Sequence, residues 1–425
     1  MLLVDQVTEI VAQSYATHAA LLAELRASWP PTDGVPAENA SATDVPSGEP
    51  SGYVRAEITA LRPVGAVRLT ERLAVGLAAD PTAVDGPFAV VPLARSDDGR
   101  WRRARTGDGL SAFISGVPMA SERPIGVDQT HESVVVGERA IVKWFRRVGP
   151  DPSRAAQLLA HLAAVRFVEI PAPLGSLTWR SPTGVELTLA QGDAFLASAR
   201  DGWGWCLERV PGDASVGRRL GELVARLHRA LAMPSAIIPS PVRQADADEL
   251  GRWRNAALAT LDEAGVLDRD GGELSSIAAA MRSVLESLPT DRAVAVQPVH
   301  GDFHVGQVLE WAGGLAIIDF DGNPMLGDDA NPIRQPRERD VAQMLLSFDH
   351  VGRIVDQRSG WTRTAEIEAW IGETRAAFLA AAGPVDQPLL AAFEVEQECR
   401  ELVYAARFLP RWRYAPMATL RARYG

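Results

Sequence analysis

The chain has 425 residues, with 43 Lys and Arg against 54 Asp and Glu, and so a net charge of −11. That balance excludes a general binder of nucleic acid or of anionic membranes, because either needs a basic face. At roughly 150 residues per domain the length predicts two or three domains. The composition, 47% apolar and 23% charged, is that of a globular protein.

Residues 1–13 lack a basic stretch and a small-residue cleavage site, so no secretory leader is expected. No run of about 18 uncharged apolar residues predicts a membrane span. Cys206 and Cys399 are the two cysteines, outside any CxxC pattern. They exclude a zinc framework, point to the cytoplasm, and read as buried small hydrophobes. Among the 43 basic residues the single lysine is Lys143. Arg replaces Lys freely on most surfaces, but its planar fork does not replace a compact ammonium at a site built for one. By composition alone the surviving lysine is either chance or chemistry.

In chain order, Val4, Val7, Ile10 and Val11, continued by Leu21, Leu22 and Leu25, predict an amphipathic helix over 2–29. Pro30 to Gly52 is poor in large apolar residues and reads as a mobile loop or linker. Runs through Tyr53, Arg55 and Ile58, through Val67 and Leu69, and through Phe88, Val90 and Val91 predict short strands, giving a small α/β cap over 1–120. Strands over 133–137 and 139–145 follow, joined as a hairpin at Gly137-Glu138. A helix over 153–167 and strands over 174–179, 185–190 and 205–210 complete a strand-rich lobe, 121–212. Helical spacing then recurs over 216–231, 246–264, 274–287, 340–350, 367–382 and 389–408 in a helical lobe, 213–425. The expected fold class is α+β, with two lobes and a cleft between them.

The chemistry concentrates in Val299 to Leu309 (VHGDFHVGQVL) and in Ala316 to Gly322 (AIIDFDG). Asp302 follows His300 by two residues and precedes Gln307 by five, the spacing of base and metal-binding amide in a kinase catalytic loop. Asp319 ends an apolar run and precedes Phe, as a magnesium-binding Asp does. Phosphoryl transfer needs an acceptor for the hydroxyl proton and oxygen ligands for magnesium. Asp302 fits the first need; Gln307 and Asp319 fit the second. His300 reads as a scaffold, His304 as either a scaffold or a ligand of the accepting hydroxyl, and Asp340 as a helix N-cap. Gly301 and Gly306 let the loop approach its neighbours closely. Lys143, mid-strand in AIVKWF, sits where a phosphate-binding lysine is wanted. The preceding turn through Ser133 is either a phosphate cradle or a plain polar hairpin. Residues 153–167 contain no acid to fix the lysine, leaving Gln157, His161, Glu169 or the cap as candidates.

These motifs resemble the aminoglycoside-phosphotransferase-like kinases, whose loop reads HGDxHxGN with I-D-F/W after it. HGDFHVGQVL, IDFDGNP, ERDVAQMLLSFDH, LGELVARLHRAL and YAARFLPRWRYAPM are similar to the actinobacterial maltokinase branch. The resemblance runs from about residue 125 to the C-terminus. It implies a two-lobed protein-kinase-like fold with an N-terminal cap, ATP and Mg2+ as cofactors, Gln307 in place of the usual Asn, and adenine at a hinge near Glu208, Arg209 and Val210. Ala405 and Leu409 stand where maltokinases carry Glu and Arg, which counts against maltose. DFDGNP and the acidic helix EVEQECREL instead resemble the glucosamine kinases, which phosphorylate the amino sugar at its 6-hydroxyl. Maltose 1-kinase, an aminoglycoside phosphotransferase and an inactive kinase-like binding module are the alternatives.

An amino sugar needs a carboxylate partner, since a buried unpaired charge is costly. Asp321, Glu394, Glu396, Glu398 and Glu401 are candidates, and Glu398, between Val395 and Leu402 on the apolar side, is the choice. Trp412 either stacks on the sugar or packs in the core.

Overall fold

The computed structural model describes residues 8–10, 62–79, 88–117, 119–125, 132–149, 153–181, 184–268, 272–323 and 332–425. These fall into two compact units, one of residues up to 157 together with 171–197, the other of 158–170 with 198–425.

The first unit contains, in chain order, β1 (Thr8–Ile10), β2 (Arg62–Arg68), β3 (Leu73–Ala79), β4 (Phe88–Arg95), β5 (Trp101–Arg103), α1 (Leu110–Ile114), β6 (Glu122–Pro124), β7 (Glu132–Val136), β8 (Ala140–Trp144), β9 (Arg147–Val148), the start of α2 (Arg154–Ala164), β10 (Pro173–Arg180) and β11 (Glu186–Ala194). One sheet runs β1-β10-β11-β8-β7-β6, and a second runs β2-β3-β4-β5 with β9 added to β4. The β7–β8 hairpin turns at Gly137 and Glu138, both with positive φ, as the local sequence predicts. Inward residues of the two sheets share one core, with Val75, Leu77, Phe88, Val134, Val142, Leu177 and Leu189 buried in it. Phe88 meets Trp179 edge-on at 5.3 Å, and the Trp144 indole donates to Ser111 Oγ at 3.1 Å.

Two expectations change here. Thr8–Ile10 forms a strand parallel to β10 rather than part of a helix; the rest of 2–29, and all of 30–52, lie outside the described residues. The strand expected over 205–210 is α3 (Gly202–Leu207) followed by a turn. Asp201 caps it by accepting from the Gly204 N–H at 3.0 Å, and the buried Trp205 donates to Val308 O at 3.2 Å.

In the second unit α3 is followed by α4 (Ser215–Leu231), β12 (Arg243–Ala245), α5 (Ala247–Leu267), α6 (Glu273–Glu286), β13 (Val294–Pro298), the hairpin β14 (Val308–Trp311) and β15 (Gly314–Ile317), β16 (Arg334–Gln335), α7 (Glu338–Arg358), α8 (Thr364–Ala382), α9 (Gln387–Phe408) and α10 (Tyr414–Tyr424). The stripe of α4 made by Val216, Leu220, Leu223, Val224, Leu227 and Leu231 is buried, as its 3.6-residue period requires, and α4 packs along α8. Both cysteines are buried thiols. Among the described residues no helix is long and apolar enough to cross a membrane.

Candidate active site

The loop after β13 carries Asp302. Three polar side chains on one face of α7, spaced by three and four residues, accept from its backbone. Asp340 takes the N–H groups of His300 (2.9 Å) and Gly301 (2.8 Å), Gln343 that of Phe303 (2.8 Å), and Ser347 that of Val305 (3.2 Å). Each N–H thus finds a partner in a buried loop that has no strand to pair with. Gly301 has φ 85°, where a side chain would be strained, and a Cβ at Gly306 would lie 2.6 Å from the Trp203 indole nitrogen. His300 is fully buried, its Nε2 bonded to Ile318 O at 2.9 Å, and it serves as a scaffold.

Asp340 therefore does not cap α7, which begins at Glu338; its carboxylate faces the catalytic loop. His228 Nε2 on α4 supplies its remaining partner at 2.9 Å. Burial alone would raise the Asp340 carboxyl, but His228 and the loop N–H groups outweigh it and hold the group below its ordinary value. Asp340→Ala orphans two N–H groups and a buried histidine, so a loss of about 3–5 kcal/mol is expected in urea unfolding, with kcat reduced in parallel. Unchanged stability would show that Asp340 is dispensable to the loop.

Asp302, Gln307 and Asp319 come together in this unit. Gln307, on a 3-10 turn over Val305–Gln307, donates from Nε2 to Asp319 Oδ2 at 3.3 Å. Asp319 has φ 66°, a left-handed conformation costly for a non-glycine residue and concentrated at functional sites. Burial, then the charges of Asp319, Glu401 and Asp340, push the Asp302 carboxyl well above its ordinary value. Among the described residues no group of three or more His, Cys, Asp or Glu could hold a metal by itself. The two oxygen donors of Asp319 and Gln307 instead fit a hard cation that completes its shell with phosphate oxygens.

His304 Nε2 lies 3.8 Å from Asp302 Oδ2, while its Nδ1 accepts from the Gly306 N–H at 3.1 Å, which leaves the proton on Nε2. Burial holds its pKa down to about 4. A depressed histidine contributes stability that is full above its unfolded value near 6.5 and is lost as pH falls toward 4. His304→Gln is accordingly expected to lose less stability than the parent between pH 7 and pH 5, measured by urea unfolding at each pH. Equal losses would place a charged ring at this position.

Of the four acids on α9, three are already paired. Glu394 meets Arg375 and Arg423, Glu396 meets Arg339 and Arg400, and Glu398 meets His350 Nε2 at 3.1 Å. Among the described residues Glu401 has no cation in ion-pair range; neutral donors hold it, the Trp412 indole at 2.9 Å and Gln397 Nε2 at 3.2 Å. Glu398, the choice made from its apolar-side position, is buried there and already bonded to His350, which leaves Glu401 as the acid on α9 without an ion pair among the described residues. Trp412, on a 3-10 turn over Pro410–Trp412, is packed at its edges by Trp203, His350 and Tyr414. Sequence reasoning missed Trp203 and His350 as its neighbours. Asp321 is partly buried on the turn two residues past Asp319.

In the first unit, Lys143 on β8 lies directly opposite Ser133 on β7 and Gln191 on β11. Glu208 and Val210, expected near the adenine, lie beyond the sheet and directly after α3. The sheet's last strand ends at Ala194, and Glu208 follows α3 and pairs with Arg200.

Residues 121–323 match the Phosphotransferase enzyme family, which defines the class of this α+β fold. Glucosamine kinase of Streptacidiphilus jiangxiensis is 36% identical over 87% of this chain and 94% of that protein, and glucosamine kinase of Mycolicibacterium smegmatis is 33% identical over 79% and 93%. A solved glucosamine kinase in complex with glucosamine, ADP and inorganic phosphate superposes with a TM-score of 0.74 at 34% identity, covering 85% of this chain and 93% of that one. The chain belongs to the glucosamine kinase family. It is a kinase, and the comparisons do not favour the maltose, aminoglycoside or inactive-module alternatives.

Proposed function

We propose that the enzyme transfers the γ-phosphoryl group of ATP to the 6-hydroxyl of glucosamine, releasing ADP. The observation that carries the sugar assignment is Glu401. Among the described residues its carboxylate is held by neutral donors, the Trp412 indole and the Gln397 amide, and it lies near enough to Asp302 to act on its charge. The 2-ammonium, on the ring that carries the reacting 6-hydroxyl, supplies a cation for this carboxylate.

In this reading Asp302 accepts the proton of the 6-hydroxyl as the oxygen attacks phosphorus, and the bond from the γ-phosphorus to the bridging oxygen breaks toward ADP. The His304 Nε2–H donates to the sugar and so fixes the hydroxyl's approach. Lys143 neutralises nucleotide phosphates, with Ser133 beside it. Asp319 and Gln307 would hold Mg2+, which when bound would offset negative charge on the nucleotide phosphates. Asp321, two residues past Asp319, is a further acid for the acceptor, and Trp412 acts by holding Glu401. The supply of ATP favours a cytoplasmic setting.

The test is ATP consumption with Mg2+ in the presence of glucosamine, N-acetylglucosamine, glucose, maltose or an aminoglycoside, with the product identified by NMR. Glucosamine 6-phosphate as the preferred product supports the reading. Phosphorylation at the anomeric oxygen, or equal use of glucose, overturns it.

A further inference from the structure

We infer that a cleft in the second unit, lined by three arginines and by His228, is a binding site for a small hydroxylated phosphate ester, and that its occupancy is felt at the catalytic loop through Asp340. The inference does not depend on which sugar is the acceptor.

The cleft has a volume of about 550 Å³ and lies among the end of α4, the start of β13, the start of α7, the end of α8 and the start of α9. That volume is ordinary for a small-molecule site. One wall is a face of α4, made by Ala225, His228, Arg229 and, just past the helix end, Ala232, at the spacing of successive turns. The two alanines leave room, and Arg229 brings charge. Among the described residues Arg229 has no acid in ion-pair range. The other two arginines of the lining are held in place: Arg292 is paired with Asp386, and Arg337 lies 3.8 Å from Glu338 and donates to Pro384 O. Three guanidinium groups against two carboxylates make the cleft locally positive in a chain whose net charge is −11. Guanidinium forks match phosphate oxygens, and the carboxylates of Glu338 and Asp386 are acceptors for hydroxyls. A phosphate ester that carries several hydroxyls meets both demands.

His228 belongs to the cleft and to the support of the catalytic loop at once. Its Nε2 is bonded to Asp340 at 2.9 Å, and the Asp340 carboxylate accepts from the N–H groups of His300 and Gly301, the two residues before Asp302. Its Nδ1 is buried and has no partner, so the ring is anchored from one side only. A ligand packed against this wall restricts the ring and, through Asp340, the loop. By linkage, whatever steadies the loop tightens binding in the cleft to the same degree.

The experiment titrates the full chain with fructose 6-phosphate, read by calorimetry and by amide hydrogen exchange, in the parent, Arg229→Glu and Ala225→Leu. The parent is expected to bind it, and Arg229→Glu to weaken binding about tenfold, the scale of hydrogen bonds to a charged group, with kcat in the absence of the probe unchanged. Ala225→Leu, which fills the cleft one turn before Arg229, weakens binding as well. Exchange of the His300 and Gly301 N–H groups slows with the probe in the parent and not in Arg229→Glu. Fructose, without the phosphate, does not bind, and inorganic phosphate, without the sugar hydroxyls, binds less tightly than fructose 6-phosphate. The Arg229→Glu comparison isolates the cleft from any binding of these probes at the catalytic loop. Glucosamine 6-phosphate separates two sources of the same chemistry: an Arg229-dependent affinity above that of fructose 6-phosphate makes the product of the proposed reaction the occupant, and one below it makes the occupant another sugar phosphate. No binding of either sugar phosphate at millimolar concentration, or binding that Arg229→Glu leaves intact, overturns the site. Binding with unchanged exchange at His300 and Gly301 overturns the link to the loop.

Discussion

Asp302→Asn is expected to lower kcat by about 10³-fold, within the range that a positioned general base contributes, while the dissociation constant for ATP changes by less than about threefold. The substitution keeps the shape of the side chain and the loop's backbone bonds to Asp340, Gln343 and Ser347. What it removes, in the proposed mechanism, is the acceptor for the hydroxyl proton. Asp302 shares its surroundings with Asp319, Glu401 and Asp340, whose charges all raise its carboxyl. An uncharged amide therefore relieves repulsion, and the folded state of the variant should be no less stable than the parent. Loss of activity with retained or increased stability separates a chemical role from a structural one. A variant that turns over within tenfold of the parent would remove Asp302 from the base position.

The second large effect is on acceptor choice. Glu401→Gln is expected to lower kcat/KM for glucosamine about 10²-fold, equivalent to ~2.8 kcal/mol at 1.4 kcal/mol per tenfold, and to change the value for glucose little. Glutamine retains an oxygen for Trp412 and Gln397 but no charge for an ammonium. Glu398→Gln is the informative contrast. It strips a buried histidine of its carboxylate and should act on stability through His350, with the ratio of glucosamine to glucose unchanged. Burial raises the Glu398 carboxyl while His350 opposes it, the behaviour of a pair closed on itself. If Glu398→Gln rather than Glu401→Gln collapses the sugar preference, the assignment of the amine partner reverses.

The site was legible in sequence where its residues are close together in the chain. Asp302, Gln307 and Asp319 fall within eighteen positions of one another, so their spacing alone brings them onto one loop and the hairpin beyond it. The β7–β8 hairpin was legible for the same reason, as Gly137-Glu138 interrupts two β-branched runs. The run at 205–210 misled because Trp, Cys, Leu and Val favour a pleated surface in isolation. Asp201 starts a helix immediately before it, and burial of Trp205 against Val308 fixes that choice, which strand propensity does not register. Asp340 shows the same limit: its position before an apolar helix looks like a cap, yet the groups it satisfies lie some forty residues away.

By itself the sequence determined the class of chemistry, since a proton acceptor, two oxygen donors and a lone lysine carry their meaning in residue type and local spacing. It determined the alternation of strands and helices as well, because periodicity is a local property of the chain. The tertiary structure alone decided which carboxylate on α9 is left without an ion pair among the described residues, and so which is the candidate for the sugar amine. Glu394, Glu396, Glu398 and Glu401 sit within eight residues on one helix, and what distinguishes them is whether an arginine or histidine from another element reaches them. Charge pairing acts across space at a few ångströms, and the residues that meet there are separated by tens to hundreds of positions, a distance that spacing along the chain does not encode.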